Sequence, residues 1–154
     1  MNIELLPGER AGRPTVCHFS EPTLEAVEAS VARLRSWAVV REVQLAGEPF
    51  VRLNGTDRMV VHLPIVGCAD PRPETGVIPG RLQPGKTVMA QDVRFADAVA
   101  LAAEIGDELD ADCGLSGPVE FHAGPDGFAR GSLVFPVLDT PRAQRTLQEL
   151  AEAV

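Results

Sequence analysis

The side chains best suited to chemistry in this sequence are His62, His122, Glu120 and Arg52, which all fall in predicted strands. A histidine in a cleft is a polar anchor or a proton acceptor with a near-neutral pKa, whereas a lone histidine in a strand is more often only hydrogen-bonded. Arg52 could pair with the acid group of a ligand or with Glu120, and a surface ion pair is the simpler interpretation. We therefore predict that these four residues supply the polar contacts to a ligand.

Strand alternation groups these residues with neighbours on the same face. Side chains two residues apart in a strand point to the same side of a sheet. Val60 therefore accompanies His62, and Ser132 accompanies Val134. An error of one residue in the predicted register would exchange every inward and outward side chain.

Few aromatic side chains are available to a flat ligand, since the chain has no tyrosine, one tryptophan and six phenylalanines. Trp37 and Phe50 are the best candidates for aromatic walls, although core packing is the simpler role for Trp37, which falls beside the apolar stripe of a predicted helix. Phe95 belongs to the stripe of a second predicted helix. The complete set of predicted ligand contacts is Trp37, Phe50, Arg52, Val60, His62, Phe95, Glu120, His122, Ser132 and Val134.

Sequence signatures of metal binding and of covalent catalysis are missing. The cysteines, at Cys17, Cys68 and Cys113, form no C-x-x-C motif, and the histidines form no H-x-x-x-H motif. A zinc site would therefore need residues that are distant in the chain to converge. Cys113 has no sequence-evident base, and there is no G-x-S-x-G motif. No glycine-rich loop has phosphate-cradle spacing. We therefore predict no metal, no cofactor and no catalytic residue.

The elements that position these residues are predicted to form an internal repeat. Three short motifs recur after the same number of residues, with a helix-like stretch in the same place each time. A duplicated α/β unit cannot easily complete its core alone, so two copies should pack together and leave a cleft along a pseudo-two-fold seam. The recurring pairs are Thr15-Val16 with Thr87-Val88, Asn54-Gly55 with Asp126-Gly127, and Pro64-Ile65-Val66 with Pro136-Val137-Leu138.

The periodicity predicts a strand, a helix and two further strands in each copy, within a single domain. The repeats cover about 1–66 and 77–138, and a C-terminal helix follows at about 141–153. Helical spacing of apolar residues marks the two main helices, and turn residues bound the strands. The predicted strands are Ile3–Pro7, Arg13–Phe19, Phe50–Leu53, Met59–Pro64, Val77–Pro79, Lys86–Gln91, Val119–Ala123 and Ser132–Pro136; the helices begin near Pro22 and Arg94.

Composition bounds the class of partner. A formal charge of −8 over 154 residues argues against direct nucleic-acid binding, which needs a basic face, but permits a cationic ligand or a basic protein partner. No apolar run is long enough for a membrane span and no signal peptide is evident. The odd number of widely spaced cysteines is typical of reduced thiols in a cytoplasmic protein.

Four short motifs resemble the GyrI-like family, the small-molecule-binding domain that also serves as the effector module of MerR- and AraC-type multidrug regulators. The resemblance covers nearly the whole chain. Because no helix-turn-helix motif is evident on either side of the matching region, we expect a stand-alone member of the family. The motifs are Gly47-Glu48-Pro49-Phe50-Val51-Arg52, Ile78-Pro79-Gly80 to Val88-Met89-Ala90, Gly117-Pro118-Val119-Glu120-Phe121, and Ser132-Leu133-Val134-Phe135-Pro136-Val137.

The resemblance implies an α/β (α+β) fold of two β-α-β-β units, with a mixed or antiparallel sheet, helices on one face and a central ligand cleft. It implies a bulky apolar or aromatic ligand and a role in sensing, sequestration or resistance. Hydrolysis of cyclopropane-bearing antibiotics is the alternative, and a protein-interaction role such as gyrase inhibition is a second one. Whether the chain forms a homodimer is left open.

This sequence departs from the family pattern at the buried glutamate of the last strand, a position that Ser132 occupies. In the family that carboxylate neutralises a cationic ligand or takes part in chemistry. Its loss favours a neutral or weakly polar ligand, because an unpaired charge in a dry cleft is costly. Glu120 is the predicted substitute from the neighbouring strand, and an exposed strand glutamate is the plainer alternative.

Overall fold

The computed structural model describes residues 3–53, 58–67 and 76–141. The predicted Asn54-Gly55 turn, Cys68 and the C-terminal helix at about 141–153 therefore lie wholly or almost wholly outside the described residues. The elements in chain order are β1 (Leu5–Arg10), β2 (Arg13–Ser20), α1 (Leu24–Val40), β3 (Phe50–Leu53), β4 (Met59–Pro64), β5 (Ile78–Leu82), β6 (Gly85–Arg94), α2 (Phe95–Asp112), β7 (Glu120–Gly124) and β8 (Gly127–Pro136).

The eight strands form one sheet in the order β1-β6-β8-β7-β3-β4-β2-β5, and every neighbouring pair is antiparallel. Together with the two helices this sheet confirms the predicted α+β class. Outward from the central β3–β7 pair, the order is β4, β2, β5 on one side and β8, β6, β1 on the other. The β3–β7 contact joins the two halves of the chain.

Both helices pack on the same face of the sheet. Thr23 caps α1 by accepting a hydrogen bond from the backbone N–H of Ala26 at 3.2 Å, which satisfies one of the free donors of the first turn. Apolar residues at helical spacing on α1 and α2 bury against alternate strand residues such as Val51, Phe121 and Leu133. The opposite face of the sheet carries no described helix. Neither described helix is long and apolar enough to cross a membrane.

β1 differs from its prediction, which ended the strand at Pro7. The strand instead runs from Leu5 to Arg10 through Pro7 and Gly8. Proline lacks a backbone donor and is tolerated on edge strands, and β1 pairs only with β6 at one edge of the sheet. The extension matters because it carries Arg10 to the end of the strand.

Two short connections require the sheet to curl strongly. β1 and β2 are six strand spacings apart, about 29 Å in a flat sheet, yet only Ala11 and Gly12 join them, and these reach at most about 11 Å. β5 and β6 are equally far apart and are joined by Gln83 and Pro84. Contacts between strands that are not neighbours cross the face on which no described helix packs, and that face is therefore the concave one.

The loops that follow the two helices resemble one another. The backbone N–H of Ala46 donates to the carbonyl of Pro64, and that of Ser116 donates to the carbonyl of Pro136, both at 2.9 Å. An internal duplication would produce such a pair of matching hydrogen bonds. The duplication and the division into two repeats remain predictions.

Candidate functional site

Three rings form a stack at the centre of the concave face. Phe50 on β3 pairs in register with His62 on β4 and with His122 on β7. Its ring lies 4.8 Å from each imidazole centroid, with interplanar angles of 8° and 13°. Strand alternation places all three on one face, and cross-strand spacing matches the stacking distance. Phe50 therefore joins the two histidines at the contact between the halves of the chain.

Glu120 lies next to this stack and is the centre of a polar cluster. Arg10 donates to both of its carboxylate oxygens, from Nη1 to Oε1 at 2.6 Å and from Nη2 to Oε2 at 2.8 Å. The Nε2 of His122 is 2.9 Å from Oε1, and the Nε of Arg52 is 4.0 Å from Oε2. The carboxylate is only 1% exposed, so the predicted alternative of an exposed strand glutamate does not apply.

The contacts of Glu120 fix its charge state. Burial alone would raise the pKa of Glu120, but hydrogen bonds from His122 and Arg10 and the charge of Arg10 outweigh burial and lower the pKa to about 2. The carboxylate is therefore ionised near neutral pH and can only accept hydrogen bonds. It follows that the Nε2 of His122 carries a proton and donates it.

One end of the ring stack is closed. His62 contacts Thr15 through Nδ1 and Oγ1 at 2.8 Å and Cys17 through Nδ1 and Sγ at 3.1 Å. Gly80 of β5 passes directly over these groups: a Cβ added at this glycine would lie 2.2 Å from the Cys17 sulfur and 3.0 Å from the His62 ring. Only a residue without a side chain fits there, and the imidazole and the thiol are shut off from solvent.

Burial also sets the protonation of this closed end. Desolvation and the charge of Arg52 lower the pKa of His62 to about 3, against an opposing effect of Glu120. Desolvation raises the pKa of the Cys17 thiol, which a hydrogen bond with Thr15 and the charge of Arg52 partly offset. A neutral imidazole next to a protonated thiol makes a packed hydrogen-bonded pair and does not make an activated nucleophile.

Arg52 carries positive charge to the middle of the face. Its Nη2 donates to the backbone carbonyl of Arg81, which lies on β5, three strands away across the concave face. Its guanidinium also lies over the Phe50 ring, 5.9 Å from the centroid. The Nε of Arg52 is buried, and no hydrogen-bond partner for it exists among the described residues. Arg52 thus holds the curled sheet together while keeping an unused donor.

The other end of the ring stack is open. The side chain of His122 is 27% exposed, and the residue opposite it on β8 is the small, half-buried Ser132. Met89 on β6 and Leu6 on β1 continue this side of the face and are half-buried as well. The concave face is therefore accessible around His122, over β7, β8, β6 and β1, and closed around His62, where Gly80 covers Thr15 and Cys17.

Eight of the ten predicted ligand contacts lie on the concave face and two lie elsewhere; that any of them contacts a ligand remains a prediction. Trp37 is buried among the core residues on the helical side, with the guanidinium of Arg41 4.9 Å from its ring centroid. Phe95 begins α2 and packs edge-on against Phe121, a core residue of the same side. The sheet separates both from the concave face. The eight residues on that face are Phe50, Arg52, Val60, His62, Glu120, His122, Ser132 and Val134.

Sequence reasoning missed the groups that come from the edges of the sheet. Arg10 lies 110 residues from Glu120 in the chain, and Gly80 reaches His62 from the opposite edge strand. Neither contact follows from periodicity, because it depends on the curl of the sheet. The length of the β1–β2 connection is a signal that could have suggested the curl once the strand order was known.

A separate cavity lies on the other side of the sheet, between α1 and the β7–β8 hairpin. It has a volume of about 580 Å³, within the range of ligand pockets. Val31, Pro49 and Phe128 contribute to its apolar walls, and Glu28 and Arg35 of opposite charge lie on its lining. Within the described part of the chain, no group of three or more histidine, cysteine or acidic side chains could hold a metal ion.

Comparison with known proteins identifies the fold. The EcmrR C-terminal domain superposes with a TM-score of 0.65 at 11% identity, covering 91% of this chain and 100% of that one. A hydrolase from Listeria innocua gives 0.56 at 14% identity, covering 88% and 92%. EcmrR in a DNA complex gives 0.66 at 9% identity, but the match spans only 58% of that chain.

No protein-family model and no curated protein matches the sequence. The structural matches therefore show a shared fold, found both in the C-terminal domain of EcmrR and in a protein named as a hydrolase.

Proposed function

We propose that this chain is a GyrI-like effector-binding domain that binds a bulky aromatic small molecule on the concave face of its sheet. The observation that carries the proposal is the one-sided opening of the ring stack. His122 is 27% exposed and lies opposite the small Ser132 on β8, while Phe50 and His62 are packed. A planar ligand placed there would continue the stack as a fourth ring, flanked by Met89 and Val134.

The proposal assigns the ligand to the open half of the face. Phe50 and His62 are almost completely buried, so they would support the stack from below without touching the ligand directly. His122 and Ser132 would contact the ligand. The fold shared with the EcmrR C-terminal domain supports a sensing role, in which ligand binding is reported to another protein or domain.

The hydrolase alternative has less support. Glu120 is the carboxylate at the centre of the face, and its oxygens already accept hydrogen bonds from Arg10 and His122. A carboxylate whose pKa is about 2 holds no proton to donate near neutral pH and is a weak base, whereas efficient general acids and bases have pKa values closer to the working pH. Glu120 is therefore better explained as a structural anchor of the site.

A thermal-shift screen with neutral, acidic and basic polycyclic aromatics tests the proposal. A ligand at a hundred times its dissociation constant should add about 2.7 kcal/mol, which raises Tm by roughly 5–10 °C in a domain of this size. Ser132→Leu should fill the place beside His122 and abolish the shift. Ala129→Leu, on an exposed position of the same strand, is the matched control and should keep it. Absence of a shift with every class, or an unchanged shift in Ser132→Leu, would refute the proposal.

A further inference from the structure

The two arginine side chains at the centre of the concave face remain partly accessible and present only hydrogen-bond donors. The side chains of Arg10 and Arg52 are 17% and 18% exposed and that of His122 is 27% exposed, whereas that of Glu120 is only 1% exposed. The carboxylate is both covered and saturated by its partners. A ligand that enters the site would therefore meet two guanidinium groups and an imidazole, and would not reach the carboxylate.

The charges at the centre of this face do not cancel. Glu120 supplies one negative charge within 4.0 Å of both Arg10 and Arg52, which supply two positive charges. His62 adds none, since burial keeps it neutral near pH 7. The surplus is positive although the whole chain carries a formal charge of −8, so it is a local property of the site.

Both arginines also keep unused donors. A guanidinium has five N–H groups. Arg10 uses three of them on Glu120 and on the carbonyl of Gln83. Arg52 donates from Nη2 to Arg81, while its buried Nε has no hydrogen-bond partner among residues 3–53, 58–67 and 76–141. The side chains of Arg10 and Arg52 are 17% and 18% exposed, so their remaining accessible N–H groups can donate to an acceptor on a ligand.

We propose that the site selects an aromatic carboxylic acid, with its ring on the outer face of His122 above Ser132 and its carboxylate on the free donors of Arg10 and Arg52. Charge-assisted hydrogen bonds from arginine to a carboxylate are strong and geometrically specific. This inference rests on the proposed binding function and adds the charge of the ligand. It reverses the cation preference that the family resemblance implies, because Arg10 already neutralises the carboxylate that would attract a cation.

The test uses three probes with the same ring system: naphthoate, naphthylmethanol and naphthylmethylammonium. Isothermal titration calorimetry at pH 7 should give the lowest Kd for naphthoate, at least about tenfold below that of the alcohol, with the ammonium compound weakest. Equal affinities, or tightest binding of the ammonium compound, would overturn the inference and leave the proposed function standing. Binding of none of the three would overturn the proposed function together with the inference.

Arg52→Gln separates the charge effect from the shape of the site. It should raise the Kd of naphthoate about tenfold and leave that of naphthylmethanol unchanged. Arg130→Gln is the matched control, since Arg130 is an exposed arginine of β8 that pairs with Asp92 at 2.8 Å. The control should bind naphthoate as the wild type does. An equal loss of the acid and the alcohol in Arg52→Gln would show a packing role and would contradict the proposed selection.

Discussion

Replacement of Glu120 by glutamine tests whether the polar cluster at the centre of the concave face stabilises the fold. The substitution keeps the shape of the side chain but removes the negative charge that Arg10 and His122 contact. It also places an amide donor opposite the donors of Arg10. The variant should therefore be markedly less stable than the wild type near neutral pH.

The expected magnitude follows from the pKa of Glu120, which falls from its ordinary value of 4.5 to about 2. Each unit corresponds to about 1.4 kcal/mol, so the ionised carboxylate contributes about 3 kcal/mol near pH 7. Because the folded-state pKa is the lower one, this stabilisation is present above pH 4.5 and is lost as the pH falls through about 2. A loss of this size lowers Tm by roughly 6–12 °C.

Urea unfolding of both proteins at pH 7 and at decreasing pH measures this effect. The difference in unfolding free energy between wild type and Glu120→Gln should be about 3 kcal/mol at pH 7 and should shrink below pH 4.5. Glu28→Gln, at an exposed position of α1, should stay within about 0.5 kcal/mol of the wild type. A double-mutant cycle that combines Glu120→Gln with Arg10→Gln should show coupling between the two residues. A difference below about 0.5 kcal/mol at pH 7 that does not depend on pH would refute the reasoning.

Two further predictions concern the closed end of the ring stack. Gly80→Ala should destabilise the protein by about 1–3 kcal/mol in urea unfolding, because the added Cβ would lie 2.2 Å from the Cys17 sulfur and force the strands apart. Gly117→Ala is the control, since its Cβ would meet Pro136 at 3.9 Å, an ordinary contact; equal losses in the two variants would contradict the crowding argument. His62 should stay neutral at pH 5 in NMR titration, because burial lowers its pKa to about 3, and a midpoint near 6.5 would show that this end is open to water.

Local pattern was enough to predict much of the site. Side chains alternate in strands, so His62 and His122 could be assigned to the same seam before the fold was known, and in the structure each ring lies 4.8 Å from that of Phe50. Glu120 was one of the partners suggested for Arg52, and the structure places the Nε of Arg52 4.0 Å from Oε2 of Glu120. For Trp37 the helical periodicity favoured core packing, and the structure buries Trp37 in the core. Periodicity identifies which helix residues are buried but does not say which side of the sheet the helix covers.

The charge of the site could not be predicted from local pattern. The sequence alone suggested that the site had lost its buried carboxylate at Ser132, and that any substitute would be free to bind a cation. In the structure Glu120 is buried and its carboxylate forms an ion pair with Arg10, a residue 110 positions away in the chain. Such a contact depends on the long-range fold, which no short window of sequence contains.

The sequence by itself determined the order of the elements, the α+β class and the face on which the strand residues lie, because these follow from the periodicity of apolar side chains and from turn residues. The tertiary structure alone decided which groups meet across the concave face. Two-residue connections force an eight-stranded sheet to curl, and the curl brings Arg10 from one edge and Gly80 from the other to the centre. Closure of one end of the ring stack, and the positive charge left at the other, are consequences of that curvature.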